Sequence, residues 1–194
     1  SFEAEQFVDN KDIRTLAGGI QGALRLDIRH TTRADLDASY TATSTELGSS
    51  QLPATATGAR LDHVIATNAA VTHDFGGLEG RLRLGVSRNT FGDVDLTGGG
   101  TEDNSDRNYT QLTLAARAAL RTDTIFQPFA ELAYEPRLHD KSSDRNGIKR
   151  NSQGVRLTAG VSIADDPVWS GDVAASLELR DYSDDSLSTA IGPG

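Results

Sequence analysis

Gln153–Tyr182, QGVRLTAGVSIADDPVWSGDVAASLELRDY, reads as two strands joined by a tight turn. In the first arm Val155, Leu157, Ala159, Val161 and Ile163 share one face, and Gly154, Arg156, Thr158, Gly160 and Ser162 share the other. In the second arm Trp169, Gly171, Val173, Ala175, Leu177 and Leu179 alternate with Ser170, Asp172, Ala174, Ser176, Glu178 and Arg180. A strand sends successive side chains to opposite faces, so each arm has one apolar and one polar face. The connection, Asp165-Asp166-Pro167, is built from turn formers.

The rest of the chain fits that pattern in composition. Its 194 residues are the size of one ordinary domain. Apolar residues make up 37% and the mean hydropathy is -0.41, low for a packed core but suited to strands with one polar side. Cysteine is absent, which excludes disulfides, thiol chemistry and cysteine metal sites and fits an exported bacterial protein. The net charge of -9 argues against nucleic acid as a partner and against a polybasic membrane anchor. No apolar run approaches the roughly 20 residues of a membrane helix, whereas a membrane barrel strand needs only about 9–11 and shows only alternation. No signal peptide is visible at Ser1, so the chain is expected to be processed or a fragment.

Taken in order, residues 1–11 read as a loop leading into a strand over 12–28, with Leu16, Ile20, Leu24, Leu26 and Ile28 on its apolar face. Residues 29–33 are a short turn. Residues 34–46 alternate Leu36, Ala38, Tyr40 and Ala42 with Asp35, Asp37, Ser39 and Thr41. A Ser/Ala/Thr-rich loop covers 47–58. In the strand predicted over 59–75, His63 and Thr67 interrupt the apolar face. Gly76-Gly77 makes a two-residue hairpin turn, where positive φ is freely available. Strands over 78–91 and 108–121 flank an acidic, Gly-rich loop at 92–107. Thr122-Asp123-Thr124 is a tight turn into a strand over 125–138, and 139–152 is a long charged loop. Residues 183–194 read as a further loop.

Tight turns (29–33, 76–77, 122–124, 165–167) thus alternate strictly with long loops (47–58, 92–107, 139–152, 183–194). Eight strands run up and down, with short turns at one end and long polar loops at the other. This scheme resembles that of bacterial outer-membrane β-barrels, with short periplasmic turns, longer extracellular loops, apolar outward faces and polar inward faces. More narrowly, the Arg/Glu-lined strands and loops such as NTFGDVDLTGGGTEDNSDRNY look like the β-barrel porins of alphaproteobacteria. The resemblance covers most of the chain and rests on periodicity and style, without an invariant motif. It implies an all-β, up-and-down antiparallel transmembrane barrel forming one domain over 1–194, in the outer membrane of a Gram-negative bacterium. Barrels of that kind usually end in a strand with a terminal aromatic, and this chain ends IGPG. An open eight-stranded piece would leave two bare edges that lipid does not tolerate. The expectation is therefore that the eight strands belong to a larger barrel.

The apolar faces, made of Leu, Val, Ile, Ala and Gly, run for about the depth a tilted strand must cover. Phe75, Phe126 and Trp169 lie beside tight turns and suit an aromatic girdle at the membrane interface. The opposite faces carry both signs of charge, including Asp27, Asp35, Asp37 and Asp172. The pore-lining candidates are Arg25, Glu79, Arg81, Arg83, Arg117, Arg121, Glu131, Glu135, Arg156, Glu178 and Arg180. Such charges pair into a plug in a narrow barrel and line an aqueous pore in a wide one. Arg81 and Arg83 beside Arg117 and Arg121 form the densest basic cluster. It reads either as a salt-bridged lining or as an anion-attracting constriction.

Other chemistry finds little support. Segments 93–98 and 142–147 each resemble part of a calcium loop, but the first lacks the Glu at position twelve and the second its first Asp. The four histidines, His30, His63, His73 and His139, show no metal-ligand spacing, and no nucleophile-elbow, zincin, P-loop or dinucleotide motif is present. No enzyme activity, cofactor or metal is expected. The expected function is a pore or transport barrel that passes small solutes or assists polysaccharide export. A non-conducting structural or surface-interaction barrel and a soluble β-sandwich binding module are the alternatives. Outer-membrane lipid, lipopolysaccharide and other envelope proteins are the expected partners, with no nucleic acid.

Overall fold

The computed structural model describes residues 2–6, 14–163 and 171–184; side chains before residue 17 are outside the description. Its strands are β1 (Phe2–Gln6), β2 (Arg14–Arg29), β3 (Thr32–Thr45), β4 (Arg60–Asp74), β5 (Leu78–Phe91), β6 (Val94–Asp95), β7 (Thr101–Glu102), β8 (Tyr109–Leu120), β9 (Phe126–Tyr134), β10 (Arg137–His139), β11 (Ser152–Ile163) and β12 (Gly171–Tyr182). Among the described residues, one 3-10 turn spans Ser105–Arg107. All strands but β6 and β7 form one antiparallel sheet, in which each strand pairs with its neighbours in sequence. The fold is the all-β, up-and-down antiparallel arrangement that the alternation predicts, consistent with part of a β-barrel.

Three boundaries differ from the sequence reading, one of them the start of β3, which takes in Thr32 and Arg33 from the turn expected over 29–33. Residues 2–6 are a strand rather than part of a loop, and they pair with β2 from Arg14 to Gly18. Five residues are too few for a period-two pattern to stand out. The single strand predicted over 125–138 is divided into β9 and β10, yet the register runs through unchanged. Tyr134 faces Leu114 and Val155, and Arg137 faces Gln111 and Ser152. The break falls at Pro136, which has no N–H to give to the ladder. Its carbonyl still accepts the N–H of Leu112 at 3.0 Å. The turn predicted at 165–167, together with Trp169, lies outside the described residues.

The tight turns bring neighbouring strands into register directly. Gly76 has φ +97°, and the N–H of Phe75 donates to the Leu78 carbonyl at 2.8 Å across the Gly76-Gly77 turn. The long loops are structured in a way the sequence does not advertise. Loop 92–107 holds the small β6–β7 hairpin, whose Leu96 bridges Ala56 of the preceding long loop. The Arg145 side chain ties loop 140–151 to it, pairing with Glu102 at 2.7 Å and Asp106 at 2.9 Å.

The two faces of the sheet differ in enclosure, and this positions the site. Leu, Ile and Val on one face are exposed along its length, as with Ile20 at 73% and Leu82 at 64%. The described residues contain no second layer packed against them. Ala70, Ala115, Ala119, Phe129 and Ala133 lie on the charged face and are buried there. The charged face is thus the inner one, and the exposed apolar face is the outer one.

Candidate functional site

Register places nine of the eleven pore-lining candidates on the inner face, and Arg121 and Glu135, just past the ends of β8 and β9, continue the same alternation. Arg25, Asp35, Ala70, Arg83, Ala115, Ala133, Arg156 and Glu178 form one transverse row from β2 to β12, each the pairing partner of the next. The row toward the tight turns holds Arg33, Thr72, Arg81, Arg117 and Glu131. In the first row the small residues Ala70, Ala115 and Ala133 are interspersed among the charged ones, and all three are buried.

The charges engage one another laterally. Arg83 reaches Glu131 at 3.0 Å, two strands away. Arg117 reaches Asp172 at 3.2 Å, donates to Ser162 Oγ at 2.7 Å, and lies over the Phe129 ring, 3.6 Å from its centroid. Arg121 holds Glu79 at 2.9 Å and Asp74 at 3.2 Å. Buried Glu135 accepts from Arg156 at 2.6 Å and stands 3.8 Å from Arg180. Both arginines also pair with Glu178. Arg25 pairs with Asp35 at 3.0 Å. Among the described residues, no ion pair joins β2 or β3 to β9, β11 or β12, so the pairs follow the wall rather than crossing in front of it.

The predicted basic cluster is therefore mostly neutralised. Arg81 and Arg117 are direct pairing partners, but Arg83, Arg117 and Arg121 each have a carboxylate. Sequence reasoning missed Phe129 and Arg33 as members of this face. Arg33 falls in the turn expected over 29–33, whose end β3 takes in, and Phe129 is an aromatic in an inner-face position.

Toward the long loops the inner face changes character. Arg60, 1% exposed, makes a fork to Asp62 at 2.7 and 2.8 Å and lies over Phe91. Arg137 lies over Tyr109, which also packs against Phe91 and His139. In the loops above, Asp103 accepts from Ser105 and Lys141, which lowers its pKa to about 2. Arg145 holds the Asp106 carboxyl well below the ordinary range. In the segment that resembles part of a calcium loop, burial opposes ionisation of Asp144. The N–H of Ile148, the Arg150 side chain and the N–H of Asn146 outweigh it, and the pKa is lowered. Those contacts occupy the carboxylate that a cation would need.

On the outer face, Phe75 and Phe126 sit at the tight-turn end and are well exposed. Phe75 lies across Gly80, where a Cβ would come within 3.1 Å of its ring, and meets His73 edge-on at 4.4 Å. At the other end, Tyr40 donates to or accepts from His63 at 2.8 Å, and Tyr134 donates to Gln153 at 3.0 Å.

The family model described as "putative beta-barrel porin 2" matches residues 2–194. The chain belongs to that family. No curated protein and no solved structure matches it. In a β-barrel porin the exposed outer face and the enclosed, charged inner face have the sidedness that a barrel wall requires, apolar toward the surroundings and polar toward the lumen.

Proposed function

We infer that this chain forms part of the wall of an outer-membrane pore that passes small solutes. The observation that carries the reading is the direction of the inner-face ion pairs. A closed eight-stranded barrel has an interior just wide enough for side chains to fill, and its charges would meet across it. Here the pairs span at most three strands along the wall, from Arg117 to Asp172. That favours a wide, wetted lumen and supports the eight long strands as part of a larger barrel. The exposed apolar face suits outer-membrane lipid and lipopolysaccharide as its surroundings, in a Gram-negative host of the alphaproteobacterial type. Export of a polysaccharide is a variant of the same pore.

The ordered long loops favour a second reading, a non-conducting barrel that presents a surface to a partner. Loops 47–58, 92–107 and 140–151 are joined by Ala56–Leu96 pairing and by Arg145. Conductance in planar bilayers separates the two. A pore gives stepwise, salt-dependent conductance whose reversal potential shifts toward cation preference in Arg83→Gln. Absence of conductance from protein that inserts and shows the folded gel mobility would sink the pore and leave the surface barrel.

A further inference from the structure

One part of the inner wall leaves polar groups without partners. Arg33 on β3, Thr72 on β4 and Arg81 on β5 are consecutive in register, Arg33 opposite Thr72 and Thr72 opposite Arg81. The Nε of Arg33, the Oγ1 of Thr72 and the Nε of Arg81 are all buried and have no hydrogen-bond partner. Thr72 is only 3% exposed. Buried polar groups are normally paired, and a run of three unpaired ones calls for an explanation. Arg33 stands 3.7 Å from Asp35 and 4.0 Å from Glu79, but each of these carboxylates has a closer arginine, Arg25 at 3.0 Å and Arg121 at 2.9 Å. Arg81 has no ion pair among the described residues.

Thr72 and Arg33 also line a cleft of about 180 Å³ at the tight-turn end of the inner face, with Arg29 and Arg121. Its carboxylates Asp74 and Glu79 are both held by Arg121. Asp27, the pairing partner of Arg33, lines it too.

We propose that Arg33, Thr72 and Arg81 form a binding site for a small oxyanion, such as sulfate or phosphate, on the lumen wall. Guanidinium groups only donate, and a threonine hydroxyl can donate. A ligand that satisfies all three must bring several acceptor oxygens on one compact centre, which is the geometry arginine forks match. A cation would leave both Nε groups unpaired. Asp27 opposes the anion and sets the affinity below what the arginines alone would give. The proposal rests on reading this face as wetted lumen; Arg81 stands beside the cleft rather than in its lining, and the anion reaches the three buried groups as the Arg33 and Arg81 side chains turn toward it.

The test is calorimetric titration of the detergent-folded full chain with sulfate, against chloride at matched ionic strength. The wild type is expected to show one saturable sulfate site. Arg81→Gln and Thr72→Val each weaken it tenfold or more, Asp27→Asn tightens it several-fold, and Arg88→Gln, whose Arg88 pairs with Asp140 on the outer surface, leaves it unchanged. Heat from sulfate that does not saturate, or an affinity unaltered in Arg81→Gln of native gel mobility, overturns the site. Phosphate run in the same way shows whether the site selects among oxyanions. Conductance without saturable sulfate binding removes the site and leaves the pore reading intact. Saturable binding that Arg81→Gln abolishes, in a protein that never conducts, upholds the site and removes the pore reading.

Discussion

Strand β5 displays both faces of the wall within six residues. Leu82, Leu84 and Val86 project outward and are 64%, 55% and 43% exposed. Arg81 and Arg83 project inward among carboxylates and alanines. The outer residues have no polar groups to satisfy and make only the contacts that any apolar surface makes. An inner residue such as Arg83 depends on a partner two strands away, Glu131, so its identity, length and register all matter. The outer face specifies a solvent, and the inner face specifies neighbours.

That contrast can be broken most forcefully at Leu84. Leu84→Arg places a charge on the lipid side in mid-strand and should cost about 2–4 kcal/mol of stability in bilayer vesicles, read from urea unfolding. A cost near zero would mean that this face does not meet lipid. On the inner face, Arg156→Gln leaves buried Glu135 with only the 3.8 Å contact to Arg180. Charged hydrogen bonds are worth more than neutral ones but Arg156 is partly exposed, so the expected loss is about 1 kcal/mol in the same assay. If Arg156→Gln cost as much as Leu84→Arg, the ion pairs would have to be a buried plug rather than a wetted lining.

Acid sharpens the comparison between strands and loops. The folded pKa of Asp103 is lowered to about 2, and that of Asp106 is lowered as well. A depressed carboxyl stabilises above its unfolded pKa of about 3.9 and loses that contribution as pH falls through the folded value. Loop 92–107 should keep its amide protection from neutral pH down to about pH 4, then lose it progressively toward pH 2, while the amides of β4 and β5 stay protected. Hydrogen exchange followed by mass spectrometry measures this directly, and full loop protection at pH 2 would show that these ion pairs do not hold the loop. The smallest effect is expected for Leu82→Ile. This swap conserves volume on a face that asks only for apolarity, so it should change stability by less than about 1 kcal/mol.

The long strands and their facing were legible because a period of two is written into every one of them. The β4 face was also legible despite His63 and Thr67, since both sit on the outer side as the alternation requires. What could not be read was anything that depends on contact between distant strands. Arg117 meets Asp172 only because β8, β9, β11 and β12 lie in that order with that register, and neither local sequence hints at the other. The β6–β7 hairpin and its bridge to Ala56 were hidden for a different reason: two-residue strands have no periodicity. Strand β1 escaped notice in the same way. Pro136 was legible as a residue, but its effect on the ladder depends on what lies beside it.

The buried alanines carry a consequence of their own. Ala115, Ala119 and Ala133 are buried on the charged inner face, so in the proposed pore the calibre would be set from below, by the thickness of this small-residue floor. Enlarging Ala115 or Ala133 by a few carbons would lift the arginines away from the wall without changing a single charge. In that pore, bore and charge selectivity would be separate dials, and a sequence could drift along one while the other stays where it was.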